Sequence, residues 1–258
     1  MRIVIKVGTS TLAHATTGQL NIRHMEQLCK VLSDIKNAGH EVILVSSGAI
    51  GMGMGKLGLK QRPETLPGKQ AAAAVGQCEL MYTYDKLFSE YNHTVAQILL
   101  TAADILDPIR SENFINTMEN LIEMRVLPII NENDTVATEQ IVIGDNDTLG
   151  AVVAKSIASD LYIILSDIDG FYTADPHKDP KATLVPIVQV ITPGLKAGAG
   201  DTLNNMGTGG MITKLEAAEI VTEAGCDMVI TNGRDPFALY DIIEGRSIGT
   251  RFVGRGHK

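Results

Sequence analysis

Short apolar runs rich in β-branched residues recur along the chain, with amphipathic stretches between them. Residues 3–7, 42–45, 95–100, 126–130, 161–165 and 228–231 are the clearest of these runs. Their near-continuous hydrophobicity predicts strands buried on both faces of one mostly parallel sheet. Between the first two, Ile22, Met25, Leu28, Leu32 and Ile35 fall at helical spacing, and Gly39 stands where a left-handed residue ends a helix. That is a βαβ unit. Residues 70–91, 112–124, 147–158, 211–224 and 236–244 repeat the helical pattern. The alternation predicts an α/β fold, a three-layer α/β/α sandwich around a mostly parallel central sheet.

No low-complexity tract, linker or repeat of fixed period divides the sequence, so a single domain over 1–258 is expected. Two approximate lobes are drawn within it, 1–158 and 159–258. Residues 169–210, rich in Gly, Pro and Asp and poor in helical pattern, read as an inserted nucleotide-side subdomain with mobile loops.

Composition narrows the function. With 258 residues and 45% hydrophobic content the chain can bury a sizeable core. A formal net charge of −8 offers no basic footprint, so nucleic acid is not expected as a partner. The three cysteines, Cys29, Cys78 and Cys226, are far apart without CxxC spacing, and no charged-then-apolar leader precedes them, which fits a reducing cytoplasm. The apolar runs are strand-sized, too short for a membrane helix, so no membrane partner is expected.

Glycine placement carries the first chemical signal. Lys6-Val7-Gly8-Thr9-Ser10 ends the first strand, where a glycine lets backbone N–H groups approach an anion and Lys6 adds a point charge; the same residues also fit an ordinary turn with a solvated lysine. Residues 46–55 follow the second strand and hold four glycines within eight residues, so bulky side chains are excluded there. Gly53-x-Gly55-x-x-Gly58 matches the dinucleotide fingerprint in form. It begins well past the end of its strand, and Glu79, its supposed ribose partner, lies in a helical pattern. Gly55-Lys56 is followed by Leu57 where a Walker A loop needs Ser or Thr.

Asn131-Glu132-Asn133-Asp134 ends the fourth strand, and Gly144-Asp145-Asn146-Asp147 opens the next helix. Asn146 suits a helix cap, yet capping does not require acids and amides in two clusters. Amides donate and carboxylates accept, so the pair of clusters suits a polar small molecule such as an amino acid. Ser166-Asp167 closes another buried strand. Finally, Gly207-Thr208-Gly209-Gly210-Met211-Ile212-Thr213-Lys214 runs from flexible residues into a helix start, gathering backbone donors, helix dipole and a cation as for a phosphate.

Together with Ser47-Gly48-Ala49-Ile50 and Tyr172-Thr173-Ala174-Asp175-Pro176, these motifs resemble, in order and from Lys6 to Phe252, the amino acid kinase family. Within it the resemblance is to the enzymes that phosphorylate the γ-carboxylate of free L-glutamate, the first step of proline biosynthesis. It implies that Ser47, Asp134 and Asn146 bind glutamate. It also implies that Lys6, Ser166, Asp167 and the loop Thr208, Gly209, Gly210, Met211, Ile212, Thr213 and Lys214 bind ATP, with Mg2+ accompanying it. Lys6, Lys214 and Asp147 are the catalytic residues expected. A carboxylate substrate is already ionised at neutral pH and needs no general base, so catalysis rests on positioning and charge neutralisation. Lys6 and Lys214 suit that task, and Asp147 is expected either to orient them or to help hold magnesium, the resemblance favouring the first. A homodimer or homotetramer and inhibition by proline are further implications.

Two departures stand out. Ser166 replaces the more common Thr, keeping the hydroxyl. Many such enzymes continue past the strand at 249–252 into a PUA-type domain, whereas this sequence ends six residues after Phe252, so what that domain does is not expected here. Other readings remain at this point: a kinase of N-acetylglutamate, aspartate, carbamate or uridylate, a non-catalytic nucleotide or oxyanion binder on the same fold, and a dehydrogenase resting only on the glycine fingerprint.

Overall fold

In the computed structural model, which describes residues 1–14, 19–137, 146–176, 178–200 and 210–256, the six apolar runs form the body of one sheet. They are β1 (Arg2–Val7), β2 (Glu41–Ser46), β3 (Val95–Leu100), β4 (Leu127–Glu132), β5 (Leu161–Ser166) and β7 (Asp227–Asn232). Two short strands, β6 (Ile187–Val188) and β8 (Thr250–Phe252), complete it. The spatial order is β3-β4-β2-β1-β5-β7-β8-β6. All pairings are parallel except β7 with β8.

The helices are α1 (Thr9–Leu12), α2 (Ile22–Asn37), α3 (Ala49–Leu57), α4 (Leu66–Ser89), α5 (Ala102–Leu106), α6 (Pro108–Glu123), α7 (Asn146–Ser156), α8 (Pro193–Gly200), α9 (Met211–Glu223) and α10 (Ala238–Ile243). Two buried layers flank the sheet because successive strand residues point to opposite faces. Ile3, Ile5 and Val7 of β1 pack with Met25, Leu28, Leu80 and Tyr84 of α2 and α4. Val4 packs with Phe114, Leu149 and Leu215 of α6, α7 and α9. The same alternation turns Lys6 to the α7 side.

Element ends follow local chemistry. Gly39, at φ +95°, ends α2 with His40 N–H donating to the Ile35 carbonyl at 3.4 Å, as its position predicts. The helix expected from residue 70 begins earlier, because the Thr65 hydroxyl accepts from Gly68 N–H at 3.3 Å and Pro67 fits the first turn. The one expected from residue 112 begins at Pro108 in the same way, with the Asp107 carboxylate accepting from Arg110 N–H at 2.9 Å.

The glycine-rich stretch after β2 is helix α3. Its glycines exclude side chains to admit α4: a Cβ on Gly53 would lie 1.8 Å from the Ala72 carbonyl oxygen. A dinucleotide loop is thereby ruled out at this position, and Glu79 instead pairs with Lys56 at 2.7 Å on the surface of the same helix pair.

The strands on either side of Ala158 belong to one sheet, since β1 pairs with β5 along Ile3–Leu161 to Val7–Leu165. Within 169–210 the structure describes β6, α8 and an antiparallel bridge between Tyr172 and Leu184. Between β4 and β5 in sequence, α7 packs on the face of β4, β2, β1 and β5, and its first residues, Asn146 and Asp147, reach the carboxyl ends of β2 and β1. In open parallel sheets a reversal of strand order is where ligands bind.

Candidate active site

Lys6, one residue before the end of β1, and Lys214, in the first turn of α9, converge on Asp147 in the first turn of α7. Lys6 Nζ lies 2.6 Å from Asp147 Oδ1 and Lys214 Nζ lies 3.0 Å from Asp147 Oδ2. All three are buried, with 7%, 6% and 0% of their surface exposed. Two cations thus share one carboxylate in a desolvated place.

Such a cluster does not stabilise the fold by much. Taking each ion out of water costs several kcal/mol, which offsets the Coulombic gain, and apolar residues of similar volume would usually hold a core as well. The cluster lies at the carboxyl end of β1 and the amino ends of α7 and α9. Asp147 pairs with both ammonium groups, one on each carboxylate oxygen.

The helix that carries Asp147 is held tightly. Tyr162 of β5 donates its hydroxyl to the Asp147 carbonyl at 2.8 Å, and a Cβ on Gly150 would stand 2.3 Å from that hydroxyl oxygen. At the start of α9 Gly210 is the N-cap and no side chain among the described residues caps it, while Thr213 donates to the Gly210 carbonyl at 2.8 Å. The first N–H groups of a helix exert a pull on an anion. Met211 and Ile212 follow on the first turn. Thr208 and Gly209 lie outside the described residues.

A second, amide-rich cluster adjoins the lysines. Asn146 Nδ2 donates to Ser47 Oγ at 2.7 Å and to Asn131 Oδ1 at 3.0 Å. Its side chain is thus turned across to β2 and β4 and does not cap its own helix. Ser47, Asn131 and Asn146 come from three segments and meet at one edge of the sheet, as the two polar clusters predict.

Asp134 lies in the turn after β4 and is half-buried. Burial pushes its carboxyl above the usual carboxylate range, with the charge of Arg62 pulling the other way. A carboxylate held short of solvent is poised to gain from a cationic partner. Residues 138–145, with Gly144 and Asp145, lie outside the described residues.

Ser166 ends β5 and donates to Asp167 Oδ1 at 3.1 Å; Ser166 is buried and Asp167 is exposed. Asn232, at the end of the neighbouring β7, donates to Asp169 Oδ1 at 2.8 Å and extends this rim. Sequence reasoning gave Asn232 no role, though its place at a strand's carboxyl end was a usable signal. Asn131 was part of a recognised motif, but its bridging contact to Asn146 was not foreseen.

The sheet order and the three layers define a class of α/β sandwich found in small-molecule kinases. A carbamate kinase from Giardia lamblia bound to AMP-PNP superposes with a TM-score of 0.69 at 19% identity, covering 98% of each chain. A T. acidophilum isopentenyl phosphate kinase does so with a TM-score of 0.65 at 18% identity, covering 98% of this chain and 100% of the other. At these identities the likeness is one of fold. Residues 1–232 match the model of the amino acid kinase family, and the chain belongs to that family. Among curated relatives it is 51% identical over 250 residues to glutamate 5-kinase of Clostridium tetani (strain Massachusetts / E88), covering 97% of this chain and 93% of the relative. It is also 51% identical over 259 residues to glutamate 5-kinase of Listeria monocytogenes serovar 1/2a, covering 98% and 93%. A glutamate 5-kinase of Moorella thermoacetica is 50% identical over 257 residues, and there the match covers 100% of this chain but 68% of the relative.

No helix among the described residues is long and apolar enough to cross a membrane.

Proposed function

We propose that the protein phosphorylates the γ-carboxylate of free L-glutamate with ATP, giving γ-glutamyl phosphate and ADP. The observation that carries this reading is the buried pair of Lys6 and Lys214 on the single carboxylate of Asp147, beside the Ser47, Asn131 and Asn146 cluster. Relatives about half identical in sequence and named glutamate 5-kinase support the substrate.

In this reading the glutamate carboxylate, ionised at neutral pH, attacks the γ-phosphorus. A new O–P bond forms, the bond to the β,γ-bridging oxygen breaks, and ADP leaves with that electron pair. No proton has to move. Lys6 and Lys214 neutralise charge on the transferring group, and Asp147 keeps them aimed. Ser166, Asp167 and the start of α9 hold the nucleotide, which enters as its magnesium complex. Ser47, Asp134 and Asn146 hold glutamate; the buried Asn146 Oδ1, which has no partner among the described residues, fits the substrate ammonium as an acceptor. Residues 1–158 would then form the amino-acid lobe and 159–258 the nucleotide lobe.

The same reading includes a cytoplasmic enzyme of proline synthesis that assembles as a dimer or tetramer and is inhibited by proline. The test is ADP release with glutamate, N-acetylglutamate, aspartate, carbamate and uridylate as acceptors. Glutamate-dependent release, with a hydroxamate formed on adding hydroxylamine, is the expected result. Release with another acceptor and none with glutamate would refute it.

A further inference from the structure

Gln77 sits on the buried face of α4 in line with Ala73, Leu80 and Tyr84, where helical periodicity calls for an apolar residue. Its Oε1 accepts from Asn131 Nδ2 at 2.9 Å. The polarity of the Asn131 amide is fixed at its other end, because Oδ1 accepts from the Glu132 backbone N–H at 2.9 Å, a group that only donates. That oxygen also accepts from Asn146 Nδ2, which in turn donates to Ser47 Oγ. With its NH2 group used twice, Asn146 is left with Oδ1 buried and without a partner among the described residues.

We propose that Gln77 is a positioning residue for substrate recognition. By accepting from Asn131 it holds in place an amide whose polarity the Glu132 N–H dictates, and this polarity, relayed through Asn146, presents an oxygen and not an NH2 group to the ammonium of the amino-acid substrate. This rests on the reading of glutamate as substrate. Gln77 touches no reacting atom itself.

Both ends of the relay are anchored by one helix crossing. Gly76, the residue before Gln77, lies so close to α3 that a Cβ there would meet the Ala49 carbonyl oxygen at 1.7 Å, and Ala49 follows Ser47 by two positions. The height of Gln77 on α4 is therefore fixed relative to Ser47. Behind it, Gln77 Nε2 donates to Gln97 Oε1 of β3 at 3.5 Å, a long contact that leaves Gln97 able to turn its amide.

Removing the acceptor at position 77 strands a buried Asn131 N–H. A flip of the Asn131 amide would set its NH2 group against the Glu132 N–H, so the side chain must move, and Asn146 loses its hold. A carboxylate at position 77 still accepts and preserves the polarity.

The test compares Gln77→Leu with Gln77→Glu in the full chain, measuring kcat, KM for glutamate, KM for ATP, and activity with glutarate, which is glutamate without the ammonium. Gln77→Leu is expected to raise the glutamate KM by about 10-fold or more, to leave kcat and the ATP KM near the parent, and to shrink the preference for glutamate over glutarate. Gln77→Glu is expected to keep the parental glutamate KM. Where Gln77→Leu lacks a cooperative thermal transition, Gln77→Met replaces it with the same expectation. A parent that uses glutamate, combined with an unchanged glutamate KM in the apolar variant or a fall in kcat alone, overturns the relay and leaves the substrate reading intact. A parent active only on acceptors without an ammonium refutes both.

Discussion

Gly53 of α3 and Gly76 of α4 meet where the two helices cross: a Cβ on Gly53 would stand 1.8 Å from the Ala72 carbonyl oxygen, and one on Gly76 would stand 1.7 Å from that of Ala49. Both clashes are with backbone, which cannot swing aside. Alanine normally improves a helix interior over glycine by about 1 kcal/mol. Here overpacking opposes that gain, and a whole helix must move to relieve it, so the clash dominates.

Gly53→Ala and Gly76→Ala are each expected to destabilise by about 2 kcal/mol or more net, a fall of roughly 4–8 °C in Tm. Gly55→Ala is the internal control. The nearest atoms its Cβ would meet among the described residues belong to the flexible Gln19 side chain, at 3.2 Å, so this variant should match or exceed the parent. Thermal denaturation of the three variants decides the matter: equal Tm values for Gly53→Ala and Gly55→Ala would contradict the close crossing.

The lysine pair gives a kinetic expectation. Lys6 and Lys214 share Asp147 in a buried setting, and in the proposed reaction their charges would matter most while the phosphoryl group is in flight. Lys6→Ala and Lys214→Ala should each lower kcat by roughly 10²- to 10³-fold while changing glutamate KM much less. Because both act on one group, the double variant should lose less than the product of the two single losses. Steady-state kinetics with both substrates varied will check this, and near-parental kcat in both single variants would remove them from the chemistry.

Much of this arrangement was legible in the chain. Strand-length apolar runs gave the six parallel strands to within a residue or two, because burial on both faces leaves little freedom of pattern. Lys6 stood out as a lone charge within such a run, and Lys214 as a cation at a glycine-led helix start. The 46–55 stretch was less transparent. Its glycines signal backbone approach, but a sequence does not say whether the approaching group is a phosphate or another helix; the Ala72 carbonyl supplies the answer. Gln77 was invisible for a different reason. A single polar residue in an apolar stripe gains meaning only when its partner, Asn131, arrives from a strand 54 residues away.

Asp134 carries a stability expectation with a definite sign. Burial raises its carboxyl above the ordinary carboxylate value of 3.8. A group whose folded pKa is raised contributes stability that is full below its unfolded value and is lost as pH rises through the folded value. In its ionised form the half-buried group is thus a burden on the ligand-free protein. Asp134→Asn should raise the ligand-free Tm at pH 7.5 by about 1–2 °C, a figure kept small by solvent screening. The gap should narrow as pH falls and the parent carboxyl takes up its proton. A variant less stable than the parent at pH 7.5 would show that Asp134 has a structural partner it needs.

In the proposed reaction the same residue would separate glutamate from its acetylated analogue. A carboxylate held short of solvent and facing a substrate cation makes a charge-assisted hydrogen bond. Asp134→Asn keeps the shape and removes the charge, so glutamate KM should rise by about 10- to 100-fold, equivalent to roughly 1.5–3 kcal/mol, with ATP KM nearly unchanged. N-acetylglutamate has no ammonium and would leave Asp134 desolvated and unpaired, so the parent should use it poorly. The variant should narrow this discrimination by losing glutamate more than it loses the analogue. Stability and binding then move in opposite directions at one position: the ligand-free variant melts higher, yet saturating glutamate raises its Tm less than it raises the parent's, since ligand stabilisation follows affinity. A parent that prefers N-acetylglutamate, or a variant with unchanged glutamate KM and weakened ATP binding, would move Asp134 out of the ammonium site.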